Sequence, residues 1–283
     1  MSLRRFLMVG DDPVVRASLA KLLEQPDRLE LVSKGAEALD CVRSSAYDLV
    51  IAEQGNNGSD PAKLVRRLHA LRPDTKVIVA GEPSASRALD AIRARAYGYV
   101  HSPISEAHLS EMVQQALDAV SWLEEIRVVS ARPEWITLEI QCKLVAAERA
   151  THLARELTSD LEANACEDIT AAFRELLLNG IEHGGKSNPR KRVRVSLLRP
   201  GDSMMVHMRD PGKGFSLSKI QHAAVCNPED SPTRHVEIRA EKGQRPGGFG
   251  ILMARNLVDQ LIYNERGNEV FFVKNLTCSE PRP

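Results

Sequence analysis

Residues 171–185 read AAFRELLLNGIEHGG. Glu175 and Asn179 are four positions apart, so on a helix they point the same way, one turn apart. Phe173, Leu176, Leu177 and Ile181 give that helix an apolar side. A carboxylate and a carboxamide on one helical face suit a magnesium–nucleotide site. The amide oxygen ligates Mg²⁺, and the carboxylate orients a water or takes a hydroxyl proton. Alone the pair is weak, since such spacings occur on many solvated helices. Two glycine-bearing stretches downstream strengthen it: residues 209–215 read RDPGKGF and residues 245–251 read RPGGFGI.

Working outward from these three stretches, residues 136–141 alternate as a strand and 143–161 form an amphipathic helix. The central helix is expected over 166–183, with Glu167 and Asp168 at its positive N-terminal end and Gly184–Gly185 stopping it. Strands follow at 193–198 and 204–208, joined by the turn at 199–203, then a helix over 250–261 and a strand over 269–274. Asp210 ends a strand, where its carboxylate can accept the exocyclic amine of adenine. Gly212 and Gly214 permit a tight turn against a purine. Gly247, Gly248 and Gly250 precede a helix, where backbone N–H groups can approach phosphate; the bland alternative is an ordinary flexible loop. Lys213 reads as a solvated side chain. Residues 216–246 are polar and turn-rich, with the cations Arg234, Lys242 and Arg245.

Together the three stretches resemble the N, G1 and G2 boxes of the GHKL ATPase superfamily, most closely the anti-sigma-factor serine kinases. The resemblance covers residues 135–276. It implies an α/β sandwich, ATP and Mg²⁺ as cofactors, and a lid over 216–246. It also implies roles: Glu175 as general base, Asn179 as Mg²⁺ ligand, Asp210 as adenine reader, and Gly212, Gly214, Gly247, Gly248 and Gly250 as nucleotide cradle. His183 belongs to the N box. The implied reaction transfers the γ-phosphoryl group of ATP to a serine or threonine of an anti-sigma-factor antagonist of the STAS type, with a sigma factor or other effector as a further partner. The alternative from another class is a non-catalytic, nucleotide-gated binding module.

The first half alternates strands and helices: strands at 6–9, 29–33, 48–52, 77–80 and 98–100, and helices at 13–23, 36–44, 62–71, 85–95 and 106–122. Such alternation implies a doubly wound parallel sheet with its site at the strand ends. This half resembles a response-regulator receiver domain, with Asp11 and Asp12 after the first strand and Pro103 after the last. The phosphoryl-accepting position falls at Glu53, the hydroxyl position near Ala80 or Gly81, and the lysine position at Ser102. A glutamate without a neutralising lysine is a poor acceptor, so the expectation is a pseudo-receiver. The alternative is an unrelated flavodoxin-like domain in which Asp11 and Asp12 cap a helix. The expected division is a receiver-like domain over 1–123, a helical linker over 124–134 and the ATPase-like domain over 135–283. A long helical pattern runs from 106 to about 127, and that extended helix is a candidate for pairing two copies; the alternative is a last helix that packs only on its own sheet.

At 283 residues with 38 Lys+Arg and 38 Asp+Glu, the chain has no net charge, which argues against a general nucleic-acid or membrane-surface binder. Five cysteines without C-x-x-C spacing read as free thiols of a reducing cytoplasm. No window is long enough to span a bilayer, and the N-terminal apolar run is too short for a signal peptide. Residues 180–187, GIEHGGKS, satisfy the P-loop pattern, but the first glycine lies inside an amphipathic helix, so the match reads as chance. His152 follows the first strand of the second half, the wrong place for the phospho-accepting histidine of a histidine kinase.

Overall fold

The computed structural model describes residues 4–22, 28–54, 60–132, 134–214 and 249–276. The chain divides into two compact units: residues 1–124 with 156–160, and residues 125–155 with 161–283.

The first unit runs β1 (Arg5–Val9), α1 (Pro13–Leu22), β2 (Arg28–Val32), α2 (Gly35–Ser44), β3 (Leu49–Glu53), α3 (Pro61–Leu71), β4 (Val77–Gly81), α4 (Ala85–Arg93), β5 (Gly98–His101), α5 (Glu106–Asp118) and α6 (Trp122–Glu125). Its sheet is parallel throughout, in the order β2-β1-β3-β4-β5. Strands β1, β3 and β4 are buried along nearly their whole length, because helices cover both faces: α1 packs with α5, and α2, α3 and α4 pack in series. Asp60, Ser84 and Ser105 cap α3, α4 and α5 through their side-chain oxygens. The sequence suggested one helix over 106–127. It stops instead at Asp118, with Ala119 extended and Val120 almost fully exposed. Trp122 then turns into the core, where its indole N–H donates to the Asp74 carbonyl at 3.3 Å.

The second unit is an antiparallel sheet with helices: β6 (Ile126–Arg132), β7 (Trp135–Gln141), α7 (Leu144–Leu157), α8 (Ala163–Asn179), a π-helical turn (Gly180–Gly184), β8 (Arg192–Leu198), β9 (Ser203–Arg209), α9 (Gly250–Leu257), β10 (Gln260–Tyr263) and β11 (Glu269–Asn275). The strand order is β10-β11-β9-β8-β7-β6. Residues expected to be a helical linker are therefore largely β6, an edge strand paired with β7. Strand β10, too, replaces the end of an expected helix. Alternate residues of β8 and β9 are buried: Val193, Val195 and Leu197, then Met204, Val206 and Met208. Against them sit Phe173, Leu176 and Leu177 of α8 and Phe272 of β11. Fully burying each such side chain contributes about 1.5–3 kcal/mol.

Asp168 lies beyond the first turn of α8 and does not serve its N-terminus. Its carboxylate takes Lys274 Nζ at 2.5 Å, and the same ammonium donates to the Leu257 carbonyl at 2.9 Å. One cation on β11 thus ties the body of α8 to the C-terminal end of α9, where a positive charge also suits the helix dipole. Among the described residues no helix is long and apolar enough to cross a membrane, and Cys41, Cys142 and Cys166 are thiols outside any disulfide.

Candidate functional site

Helix α8 carries Glu175 and Asn179 one turn apart, as the spacing predicts, with Phe173, Leu176 and Leu177 fixing the opposite side in the core. The first residue of α9 lies directly against both. A Cβ added to Gly250 would stand 2.7 Å from Glu175 Oε2 and 3.6 Å from Asn179 Nδ2. Among the described residues, Asn179 Nδ2 is buried without a hydrogen-bond partner. An unsatisfied buried amide costs about 1–3 kcal/mol, so this one points to a polar group the site is built to receive. Glu175 Oε1 faces the Arg174 guanidinium at 3.5 Å.

Helix α8 does not run on to His183. At Gly180 it loosens into the π turn, closed by Gly185 N–H donating to the Gly180 carbonyl at 2.8 Å. Such widened turns recur at functional sites. Here it brings Gly184 against Asp210, whose Oδ1 lies 2.1 Å from where a Gly184 Cβ would be. His183 is exposed, and no hydrogen bond or ion pair among the described residues joins it to the other site residues.

Asp210 follows β9. Its backbone N–H donates to the Asn268 carbonyl at 3.0 Å, and its Oδ1 accepts the Gly212 N–H at 2.7 Å. Burial pushes its carboxyl above the usual range, opposed by the Gly212 N–H and the Arg266 charge. Gly212 approaches Gly184 so closely that its Cβ would lie 2.8 Å from Gly184 Cα. Gly214 has φ +82, and a Cβ there would overlap the Arg266 carbonyl oxygen, so glycine is required at both positions by the turn itself.

Sequence reasoning passed over four neighbours of Asp210. Tyr263 of β10 has its phenol pushed up by burial and by the Asp210 charge. Cys142, directly after β7, packs on Gly185, and burial raises its thiol to about 11. Arg266 donates to the Lys213 carbonyl at 3.2 Å, and Asn268 is buried. None belongs to a recognisable motif. The only available signal was the Asn264–Asn268 turn, where Asn264 Oδ1 accepts three backbone N–H groups. Gly247, Gly248 and the expected lid over 216–246 lie outside the described residues.

The P-loop pattern at 180–187 forms no P-loop. Its first glycine is in the π turn, and no helix opens at Lys186–Ser187. Both residues are left-handed, with φ 56 and 49, a conformation costing about 1–2 kcal/mol in a residue with a side chain.

At the strand ends of the first unit, Glu53 Oε2 accepts the backbone N–H groups of Asp11 at 2.9 Å and Asp12 at 3.0 Å. Asp12 Oδ1 meanwhile caps α1 through Val14 and Val15. The capping role envisaged for Asp12 is thus real. Gly10, at φ +135, makes the arrangement possible, because a Cβ there would lie 2.1 Å from Glu53 Oε2. Burial raises the Glu53 carboxyl, partly offset by the two N–H donors. A Cβ at Gly81 would stand 2.6 Å from Tyr99 Oη and 2.7 Å from Gln54 Oε1, so a side chain there would have to displace both. Ser102 stands at the expected lysine position and donates its backbone N–H to the Gly81 carbonyl at 2.7 Å. Among the described residues no group of three or more His, Cys, Asp or Glu side chains is arranged to hold a metal ion.

Residues 138–274 match the family described as Histidine kinase-like ATPase domain, and residues 6–114 match Response regulator receiver domain. The chain joins a receiver domain to a kinase-like ATPase domain. A curated Pseudomonas aeruginosa protein described as "Putative transcriptional regulator" is 32% identical over 116 residues, which is 40% of this chain and 54% of that protein. The chain thus spans about half the length of the curated relative it matches. Among solved structures, a signal receiver domain of an HD domain-containing protein from Pseudomonas fluorescens Pf-5 is 26% identical, covering 42% of this chain and 89% of that one, with TM-score 0.38. A CheY-like response regulator receiver domain protein from Methanospirillum hungatei JF-1 is also 26% identical, covering 41% and 95%, with TM-score 0.38.

Proposed function

We propose that the ATPase domain binds Mg-ATP between α8, the Asp210 turn and the start of α9, and transfers the γ-phosphoryl group to a serine or threonine of a partner protein. By resemblance that partner is an anti-sigma-factor antagonist of the STAS type, with a sigma factor or other effector as a further partner. The receiver domain serves as an input that is not itself phosphorylated.

The observation that carries this reading is the convergence on Gly250. Glu175, which can act as a base, and the unsatisfied amide of Asn179 meet at the N-terminal end of one helix. Backbone N–H groups at such an end attract phosphate. Asn179 would hold Mg²⁺, which when bound neutralises phosphate charge. Asp210 would accept the adenine amine, with Gly184 and Gly212 keeping the approach open. Glu175 would take the proton of the attacking hydroxyl as its oxygen bonds to phosphorus and ADP leaves. Arg174, beside Oε1, keeps that carboxylate oriented.

A general base contributes about 10²–10⁴-fold to rate and makes no necessary contact with ground-state nucleotide. Glu175→Ala is therefore expected to keep Mg-ATP affinity while losing transfer of label from γ-labelled ATP to the partner. Asn179→Ala should lose both. If the wild-type chain never labels its partner, yet ATP changes its affinity for that partner, the chain is a nucleotide-gated binding module instead.

A further inference from the structure

We infer that the turn between α8 and β8 is a docking surface for an acidic segment of a partner protein. Residues 186–194 read KSNPRKRVR, with five cations and no acid, in a chain whose net charge is zero. Residues 186–190 are all exposed, and Arg194 is too. Among the described residues, no ion pair reaches Lys186, Arg190, Lys191 or Arg194. Elsewhere in the same unit Arg127, Arg149, Arg209 and Lys274 are each paired with a carboxylate.

The turn is built, and its shape is held from within. Ser187 N–H donates to the Ile181 carbonyl at 2.9 Å, Asn188 N–H to Gly185 at 3.3 Å and Lys191 N–H to Asn188 at 2.9 Å. Cys142 N–H closes its base on the Lys191 carbonyl at 3.0 Å. Asn188 Oδ1 also accepts the Arg190 N–H at 2.9 Å. Lys186 and Ser187 occupy left-handed positions that glycine would fill without strain. Strain of this kind, over-determined by its surroundings, is a mark of function. The root of the turn, Gly184–Gly185, packs on Asp210 and Cys142, so an occupant would be held beside the proposed nucleotide site.

The local chemistry selects among polyanions. The neighbouring sheet row carries Arg127, Glu139, Arg194, Arg209 and Glu269 in register. Its signs largely cancel, which confines the positive field to the turn. A nucleic acid duplex needs a long track of cations, and a single strand needs aromatic faces; residues 186–194 contain no aromatic. Firm seating on a membrane surface combines charge with apolar insertion, and residues 186–190 offer no apolar side chain but Pro189. A short acidic protein segment needs neither a long track nor apolar insertion.

The inference holds whether the domain transfers phosphate or only binds nucleotide. The test is fluorescence anisotropy of fluorescein-labelled polyglutamate with the full chain, compared with a single-stranded oligonucleotide, a duplex and phosphatidylserine–phosphatidylcholine vesicles. Reversing three exposed or half-exposed cations (K186E/R190E/K191E) should weaken peptide binding by about tenfold or more. Mg-ATP affinity should stay within about threefold, since none of the three serves the nucleotide site. Should that variant fold poorly, R190Q/K191Q is expected to give a smaller loss, about threefold. Peptide binding indifferent to both variants would overturn the inference. So would tighter, equally charge-dependent binding of an oligonucleotide or of vesicles.

Discussion

Asp210 shows at single-residue scale how a site is poised at a cost. Its carboxylate packs against glycines near a half-buried phenol, and among the described residues the Gly212 N–H and the Arg266 charge favour ionisation. Its folded pKa therefore lies above the unfolded value. Above the unfolded pKa the unfolded chain holds fewer protons on this group than the folded one, so stability falls as pH rises through that window. Above that window the charged side chain destabilises the empty domain. Asp210→Asn keeps an oxygen for the Gly212 N–H and removes the charge. Thermal melting without nucleotide should show the variant at least as stable as wild type. A clear drop in melting temperature would contradict the account of Asp210 as a strained recognition group.

At the scale of elements, the site depends on α9 being held against α8. Lys274 supplies that tie, bridging Asp168 and the carbonyl end of α9. Lys274→Met leaves a carboxylate without its cation and is expected to cost about 3–5 kcal/mol, the range for breaking a largely buried pair. Denaturant unfolding of the full chain checks it; a loss below about 1 kcal/mol would mean the pair is effectively solvated.

The same scale shows what was legible in the sequence. Helix α8 was readable because its apolar face and its Glu175–Asn179 spacing obey one period. Strands β6 and β10 were not. Leu123 continues the helical phase of α5, which masks the break at Ala119, and residues 126–132 are exposed on most positions of an edge strand. Residues 260–263 likewise follow α9 with apolar residues in helical phase. The break comes from Val258 turning extended and Asp259 N–H entering the ladder at Val273. Such pairings are tertiary, and periodicity does not carry them.

On the scale of the whole molecule, a receiver domain precedes a kinase-like ATPase domain, and the expected accepting position of the receiver carries Glu53. Glu53 already binds the backbone N–H groups of Asp11 and Asp12, and no lysine stands at Ser102. Acetyl phosphate is therefore expected to leave residues 1–123 unlabelled. Acid-labile label on Glu53 or Asp48 would show a working receiver.

The central claim is that the ATPase domain binds Mg-ATP through Asp210 and Asn179. Isothermal titration of the full chain with Mg-ATP, wild type beside Asp210→Asn, tests it most directly. Wild-type binding with an affinity loss of about 1–3 kcal/mol in the variant, the worth of a charged hydrogen bond, is the result predicted. No binding by the wild type, or the same affinity in both proteins, would contradict it.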